Sequence, residues 1–259
     1  MSDLETPDLA EIDGQKINIA TLEHAVGAMI ARISTGRGFR FFTLNLDHVV
    51  KRRDDAAFRN AYSTADFVSA DGAPLAVLAR RQSPGIKRTT GADLVLPLCH
   101  AAAQAQIPVA LFGSDIATLE KSGAELVRRC PGLTIAHSEA PPYGFDPTSP
   151  AAHEAAARIA ASGARLVFVA LGAPKQEFFA SAMAEHTPEL GFICIGAALD
   201  FIAGTQKRAP ILFQKTGLEW LWRLATNPGR MARRYAACAG VLVSLVMAPA
   251  RFKARDIAF

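Results

Sequence analysis

Polar side chains that could bind or activate a ligand follow directly on an apolar run near the middle of the chain. The run at 165–172, RLVFVALG, is followed within a few residues by Lys175, Gln176 and Glu177. An amide and a carboxylate at such a place can hydrogen-bond the hydroxyl groups of a sugar or a ribose. The polar first turn of an ordinary helix would show the same residue types, so these three residues need support from elsewhere in the sequence.

Five apolar runs in all end in a combination of glycine and polar residues. Besides the 175–177 cluster, the residues at these ends are Thr43, Asn45, Asp47 and His48, then Asp71 and Gly72, then Gly113, Ser114 and Asp115, then Gly172, and finally Gly196 with Asp200. Each group alone is weak evidence, because Asp and Ser often cap helices and Gly often only turns the chain. Glycine also lets backbone N–H groups approach a ligand, and a helix N-terminus favours phosphate. Their recurrence therefore indicates one shared pocket.

The elements that would position these residues are short apolar strands that alternate with helical patterns. The predicted strands cover 39–46, 66–70, 107–113, 133–137, 165–172 and 190–196, and the clearest helical stretches cover 47–62, 115–130 and 149–162. Nearly continuous apolar strands separated by helices predict an α/β fold with a mostly parallel sheet and helices on both faces. Ligands of such sheets bind beyond the carboxyl ends of the strands, which is where the polar groups fall.

Composition limits the class of protein. Half of the 259 residues are hydrophobic and a fifth are charged, which is typical of an ordered globular protein. The four cysteines are scattered and show no metal-site spacing, so we expect reduced thiols and no metal. The acidic N-terminus lacks the basic and apolar segments of a signal peptide, and we expect a cytoplasmic protein.

Charge is distributed unevenly along the chain. The net charge is +4, yet residues 201–259 carry ten basic residues and only two acidic ones. Such a segment suggests an anionic partner, which could be nucleic acid, lipid headgroups or a phosphorylated substrate, although a solvated basic face is the commoner outcome. The change of composition near residue 205 predicts a catalytic domain at 1–204 and a basic, apolar helical appendage at 205–259.

An uncharged stretch at 235–250 lies between the basic residues of this appendage. It is shorter than the roughly 20 apolar residues of a membrane span. An apolar helix edged by basic residues suits the membrane interface, and a buried core helix is the alternative. Nucleic acid fits less well, because Trp220 and Trp222 do not alternate with basic residues along a stacking surface.

Seven stretches, in order from about residue 40 to residue 235, resemble one family of enzymes. They are TLNLDHV, SADGAPL, RTTGADL, LFGS, LGAPKQE, GAALDFIAGTQKRAP and GLEWLWRLATNPGRMARRY. The chain is similar in these stretches to the WecG/TagA/CpsF glycosyltransferases, glycosyltransferase family 26. The resemblance implies an inverting, metal-independent transfer of a sugar from a UDP-sugar to a lipid-linked pyrophosphate acceptor at the cytoplasmic membrane face. It also implies a Rossmann-like domain whose C-terminal appendage completes the active site and reaches the membrane.

The resemblance assigns roles to residues of this sequence. It makes Asp71 the general base, places Thr43 and Asn45 beside it, and puts Gln176 in the sugar pocket; these four are the predicted catalytic residues. The residues we expect to bind substrate are Gly72, Arg88, Gly91, Gly113, Gly172, Lys175, Glu177, Gly196, Asp200, Arg208, Arg223, Arg230 and Arg233. The last three arginines would meet the pyrophosphate, where their charge stabilises the departing nucleotide diphosphate. We expect no cofactor.

Two other functions stay open. A nucleotide-dependent oxidoreductase could use the same type of sheet, but no GxGxxG motif follows the first predicted strand. A non-catalytic, membrane-bound nucleotide-sugar sensor would tolerate loss of Asp71. The sequence fixes neither the sugar, for which N-acetylmannosamine and related hexoses are the candidates, nor the acceptor, nor self-association into a homo-oligomer.

Overall fold

The computed structural model of the chain describes residues 8–210, 212–213, 216 and 219–247, with the side chains of Arg223 and Arg230 left out. The strands are β1 Ala10–Ile12, β2 Gln15–Ile17, β3 Phe39–Leu44, β4 Phe67–Ala70, β5 Val109–Gly113, β6 Ile135–Glu139, β7 Leu166–Ala170 and β8 Gly191–Cys194. The helices are α1 Leu22–Ser34, α2 Leu46–Asp54, α3 Ala56–Ser63, α4 Ala73–Arg80, α5 Gly91–Gln104, α6 Ile116–Arg129, α7 Pro150–Ala161, α8 Lys175–Met183, α9 Ala198–Ala203, α10 Glu219–Thr226 and α11 Pro228–Met247.

Six strands form one sheet in the order β4-β3-β8-β7-β5-β6, and every neighbouring pair is parallel. Successive side chains point to opposite faces, so Phe41 and Leu111 enter one apolar core while Phe42 and Phe112 enter the other. Both faces are therefore apolar, which explains the nearly continuous hydrophobic runs in the sequence. The predicted α/β, Rossmann-like fold is confirmed.

Helices cover the two faces as separate layers. Helices α1, α5, α6 and α9 bury their apolar side chains in the core that contains Phe41. Helices α2, α3, α4, α7 and α8 pack into the core that contains Phe42. Because all six strands are parallel, their carboxyl ends lie at one edge of the sheet, where the loops into the helices meet.

Two details differ from the predicted elements. The helical stretch predicted at 47–62 is two helices, because Asp55 is extended at φ −122° and its carboxylate accepts the backbone N–H groups of Ala57 and Phe58. The β1–β2 hairpin was not predicted. Its Asp13-Gly14 turn, with φ of 53° and 74°, is the turn type that an Asp-Gly pair favours and was the available signal.

Helices α10 and α11 follow the sheet domain. One side of α11 packs on α2, with Met231, Cys238 and Val241 buried, while Val243 and Met247 on the other side are exposed. The helix predicted at 235–250 is thus partly buried and partly exposed, and 248–250 lies outside the described residues.

None of the helices in the described ranges has the length and hydropathy needed to cross a bilayer. The division at 204/205 follows Gly204, which ends α9 in a left-handed conformation, and stays a prediction.

Candidate functional site

A cleft of about 1000 Å³ opens at the carboxyl ends of β3, β4, β7 and β8. Helices α10 and α11 form its opposite wall. Ten of the predicted site residues line it, and they are Thr43, Asn45, Asp71, Gly72, Arg88, Gly91, Gly172, Gln176, Gly196 and Arg208. Residues up to 165 positions apart in the chain are therefore brought to one place by the sheet topology.

Thr43 and Asp71 lie side by side on neighbouring strands. The register of β3 and β4 pairs Leu44 with Ala70, and the Asp71 N–H donates to the Leu44 carbonyl at 2.8 Å. The Thr43 hydroxyl lies 3.5 Å from Asp71 Oδ2 and donates a long hydrogen bond to it. A carboxylate at a strand end, held by the backbone and facing a cleft, is placed as a general base requires.

Asn45 caps α2, and His48 lies beneath it. The Asn45 Oδ1 atom accepts the His48 backbone N–H at 3.0 Å, and its Nδ2 lies 3.4 Å from His48 Nε2. His48 Nδ1 is 2.7 Å from both the Thr43 carbonyl and the Tyr62 hydroxyl. Burial lowers the pKa of His48 to about 4, so the ring is neutral at physiological pH and Asn45 can donate to its Nε2.

Asp47 joins the two walls of the cleft. It accepts a hydrogen bond from Lys51 one turn along α2, and its Oδ1 lies 2.9 Å from Arg234 Nε on α11. Burial by itself would raise the pKa of Asp47, but the hydrogen bond from Lys51 and the charge of Arg234 outweigh it and lower the pKa. Sequence reasoning missed Lys51 and Arg234; the i, i+4 spacing of Asp47 and Lys51 was the one available signal.

The three polar residues at 175–177 separate in space. Lys175 Nζ turns away from the cleft and donates to the Phe145 carbonyl at 2.9 Å. Gln176 lines the cleft, and its Oε1 accepts the backbone N–H of Gly196 at 2.9 Å. Glu177 is wholly buried behind Gln176. A helix directs consecutive side chains about 100° apart, which accounts for three different environments.

Two arginines meet at the N-terminus of α5. Asp93 Oδ1 lies 2.8 Å from Arg208, and Asp93 Oδ2 lies 3.3 Å from Arg88. Arg208 Nε is buried and has no hydrogen-bond partner within the described ranges. Gly91 begins α5 here, and a Cβ at this position would lie 2.9 Å from Ile195 Cα, so only glycine permits this close approach to the loop after β8.

Helices α2, α4, α5 and α8 direct their N-termini at the cleft. Asn45 caps α2 and Thr90 caps α5, whereas α4 and α8 have no capping side chain among the described residues. Uncapped N-terminal N–H groups carry partial positive charge and are good ligands for phosphate. Together with the cleft-lining side chains of Lys51, Arg88, Lys207 and Arg208, they form a cationic side of the cleft that is suited to an anion.

Three further predicted residues, Gly113, Asp200 and Arg233, do not line the cleft. Gly113 packs against β7, where a Cβ would lie 2.5 Å from the Ala170 carbonyl group. Asp200 Oδ1 accepts a hydrogen bond from the Thr205 hydroxyl, and burial raises its pKa. Arg233 is exposed on α11, next to the cleft-facing Arg234. The side chains of Arg223 and Arg230 lie outside the described part of the chain.

Metal ligands form no cluster in the part of the chain that the structure describes, where no three His, Cys, Asp or Glu side chains come together.

Comparison with known families gives a match over nearly the whole chain. The model of the Glycosyl transferase WecG/TagA/CpsF family covers residues 10–256. The chain belongs to this family, as its motifs predicted, and it is a glycosyltransferase of cell-surface polysaccharide synthesis.

Proposed function

We propose that this WecG/TagA/CpsF glycosyltransferase moves N-acetylmannosamine or a related hexose from a UDP-sugar to a polyprenyl-pyrophosphate-linked acceptor, with inversion at the anomeric carbon. The observation that carries the proposal is the pairing of Thr43 and Asp71 in the same cleft as several helix N-termini and several cations. A carboxylate base and an anion site in one cleft are what transfer from a nucleotide diphosphate needs.

Asp71 acts as the base in this mechanism. The acceptor hydroxyl oxygen attacks C1 of the donor sugar from the face opposite the nucleotide, and Asp71 takes the hydroxyl proton. The bond between C1 and the diphosphate oxygen breaks, and UDP leaves with the bonding electrons. Thr43, whose hydroxyl lies 3.5 Å from Asp71 Oδ2, holds the carboxylate in the orientation that receives the proton.

The departing diphosphate is stabilised by the cationic side of the cleft. Arg88 and Arg208 share Asp93, which leaves one net positive charge beside the N-terminus of α5. Arg208 lines the cleft, and its guanidinium can donate charge-assisted hydrogen bonds to a phosphate oxygen there. This charge replaces a divalent cation in the proposal, and activity that survives EDTA is the expected result.

The outer face of α11 is the proposed membrane contact. Val243, Val246 and Met247 are 63%, 50% and 79% exposed, and the exposed Arg233 precedes them on the same helix. A helix that carries exposed apolar side chains and an exposed cation suits the interface of an anionic bilayer. We place the protein in the cytoplasm, at the inner face of the plasma membrane, where the lipid-linked acceptor is accessible.

The test is sugar transfer with a panel of UDP-sugars and a short-chain lipid pyrophosphate acceptor, followed by chromatography and mass spectrometry of the product. One donor should yield a product heavier by one sugar residue, with and without EDTA. Hydride transfer with a nicotinamide cofactor would favour the oxidoreductase alternative. Donor binding without turnover, unaffected by Asp71→Asn, would favour the sensor.

A further inference from the structure

Glu177 is a buried carboxylate for which the proposed mechanism has no use. Its side chain is 0% exposed. Its Oε1 accepts a hydrogen bond from Gln176 Nε2 at 2.8 Å, while Oε2 has no hydrogen-bond partner among the described residues. Because a buried, half-satisfied acid is unfavourable compared with an apolar side chain, its presence beside the cleft calls for a functional explanation.

No cation of the described residues forms a salt bridge with Glu177. The charged or titratable groups close enough to interact with it include Tyr62 of α3, Cys194 of β8, and Lys51 and Asp47 of α2. Lys51 is already hydrogen-bonded to Asp47. Burial raises the pKa of Glu177 to about 7, so both protonation states are accessible near neutral pH, and either state offers Gln176 an acceptor oxygen.

Gln176 is held at both ends of its amide. The Gly196 N–H can only donate and therefore takes Oε1, and the Glu177 oxygen accepts from Nε2. Gln176 is 3% exposed and is one of the residues that line the cleft. After these two bonds, one N–H and one lone pair remain for a ligand, and their positions are set by the orientation of the amide.

We propose that Glu177 is a positioning residue for the donor sugar: together with the Gly196 N–H, it holds the Gln176 amide in the one orientation that matches the hydroxyl pattern of the transferred sugar. The inference rests on the proposed function, because its ligand is the sugar of a UDP-sugar. A flipped amide would present a donor where the sugar needs an acceptor. A site built to hydrogen-bond a hydroxyl discriminates strongly against an analogue that leaves its polar groups unpaired.

The test compares four variants by calorimetric titration with UDP and with the UDP-sugar that the wild type transfers. Glu177→Met removes the acceptor and keeps the side-chain length, whereas Glu177→Gln keeps an acceptor oxygen. Ser181→Ala is the matched control, because Ser181 lies on the same helix and its hydroxyl bonds to the Ala61 carbonyl, outside the cleft. Glu177→Leu gives a second apolar variant of different shape.

We expect Glu177→Met and Glu177→Leu to lower the affinity for the UDP-sugar about tenfold, the usual effect of losing one hydrogen bond, while UDP binds as in the wild type. Glu177→Gln should restore most of the loss, and Ser181→Ala should change neither affinity. An unchanged ratio of the two affinities in the apolar variants, or an equal fall in both, would overturn the role of Glu177. A wild type that binds and transfers no nucleotide sugar would overturn the proposed function as well.

Discussion

The two walls of the cleft are built in different ways. On the sheet wall, Thr43, His48 and Gln176 are buried, and strand ends and backbone hydrogen bonds hold them. On the helical wall, Trp220 is 43% exposed and the Arg234 side chain is 39% exposed. Arg234 reaches the sheet domain through its ion pair with Asp47. The sheet wall is therefore rigid and suited to orienting reacting groups, while the helical wall supplies charge through contacts that depend on solvent and salt.

The largest expected effect is on the sheet wall. Asp71→Asn keeps the shape of the side chain but removes the proposed base, so turnover should fall about 100-fold or more, the usual range for general-base catalysis. The affinity for the UDP-sugar should stay near that of the wild type. The measurement is steady-state transfer together with calorimetric donor binding, and near-normal turnover would remove Asp71 from the role of base.

A smaller loss is expected from the cationic side of the cleft. Arg208→Ala removes charge-assisted hydrogen bonds worth about 1.5 to 3 kcal/mol, so transfer to a soluble, short-tailed acceptor should fall roughly 10- to 150-fold. Arg233→Ala is the comparison, because Arg233 lies on the exposed side of α11. It should weaken co-sedimentation with anionic vesicles, more so at low salt, and change soluble-acceptor turnover less than Arg208→Ala does. A larger fall in soluble-acceptor turnover for Arg233→Ala than for Arg208→Ala would instead support the predicted contact of Arg233 with the pyrophosphate.

The pH dependence of stability tests the buried acid behind the sheet wall. The pKa of Glu177 is raised from 4.5 to about 7 in the folded protein, mainly by burial. Between these values the folded state holds a proton that the unfolded state has released, so this residue's contribution to stability is lost as pH rises through 7. The glutamine of Glu177→Gln cannot ionise. The difference in free energy of unfolding between this variant and the wild type should therefore shift in favour of the variant by about 3 kcal/mol from pH 4.5 to pH 8.

Urea unfolding at the two pH values measures this difference. The comparison with the wild type at each pH cancels the contributions of other groups, including His48, whose pKa is lowered. An advantage of Glu177→Gln that is the same at both pH values would show that Glu177 does not titrate in this window.

The smallest effect is expected where the two walls meet. Arg234→Ala removes an ion pair whose arginine side chain is more than a third exposed, and such pairs contribute about 0 to 1 kcal/mol. Asp47 keeps its hydrogen bond from Lys51. The midpoint of urea unfolding should therefore change little. A fall of several kcal/mol in the free energy of unfolding would show that this ion pair stabilises the helical wall as strongly as the buried hydrogen bonds stabilise the sheet wall.

Sequence reasoning succeeded where the backbone decides position. Six apolar runs became the six strands of the sheet, and Thr43, Asp71 and Gln176 reached one cleft because parallel strands end at the same edge. It could not distinguish the three residues at 175–177, since the direction of each side chain depends on the packing of α8. Gly113 resembles a ligand-binding glycine in sequence, yet its lack of a side chain serves the close approach of β7.

The cleft-facing side of α11 was also beyond sequence reasoning. Arg233 and Arg234 are adjacent and chemically identical, and only the packing of Met231, Cys238 and Val241 shows that Arg234 faces Asp47. A helix must be docked on its neighbour before its inward face is known. The family resemblance pointed to this arginine-rich segment, but only the structure shows that Arg234 faces the cleft and Arg233 does not.

The stereochemistry of transfer tests the central claim most directly. We propose that Asp71 activates the acceptor for a single displacement at the anomeric carbon, opposite the diphosphate held by the cationic side of the cleft. Proton NMR of the purified product, made with the accepted UDP-sugar, gives the anomeric configuration from the coupling of the anomeric proton or, for a mannose-type sugar, from its carbon–proton coupling. We expect the configuration opposite to that of the donor. A product with the donor's configuration would contradict a single displacement assisted by one base.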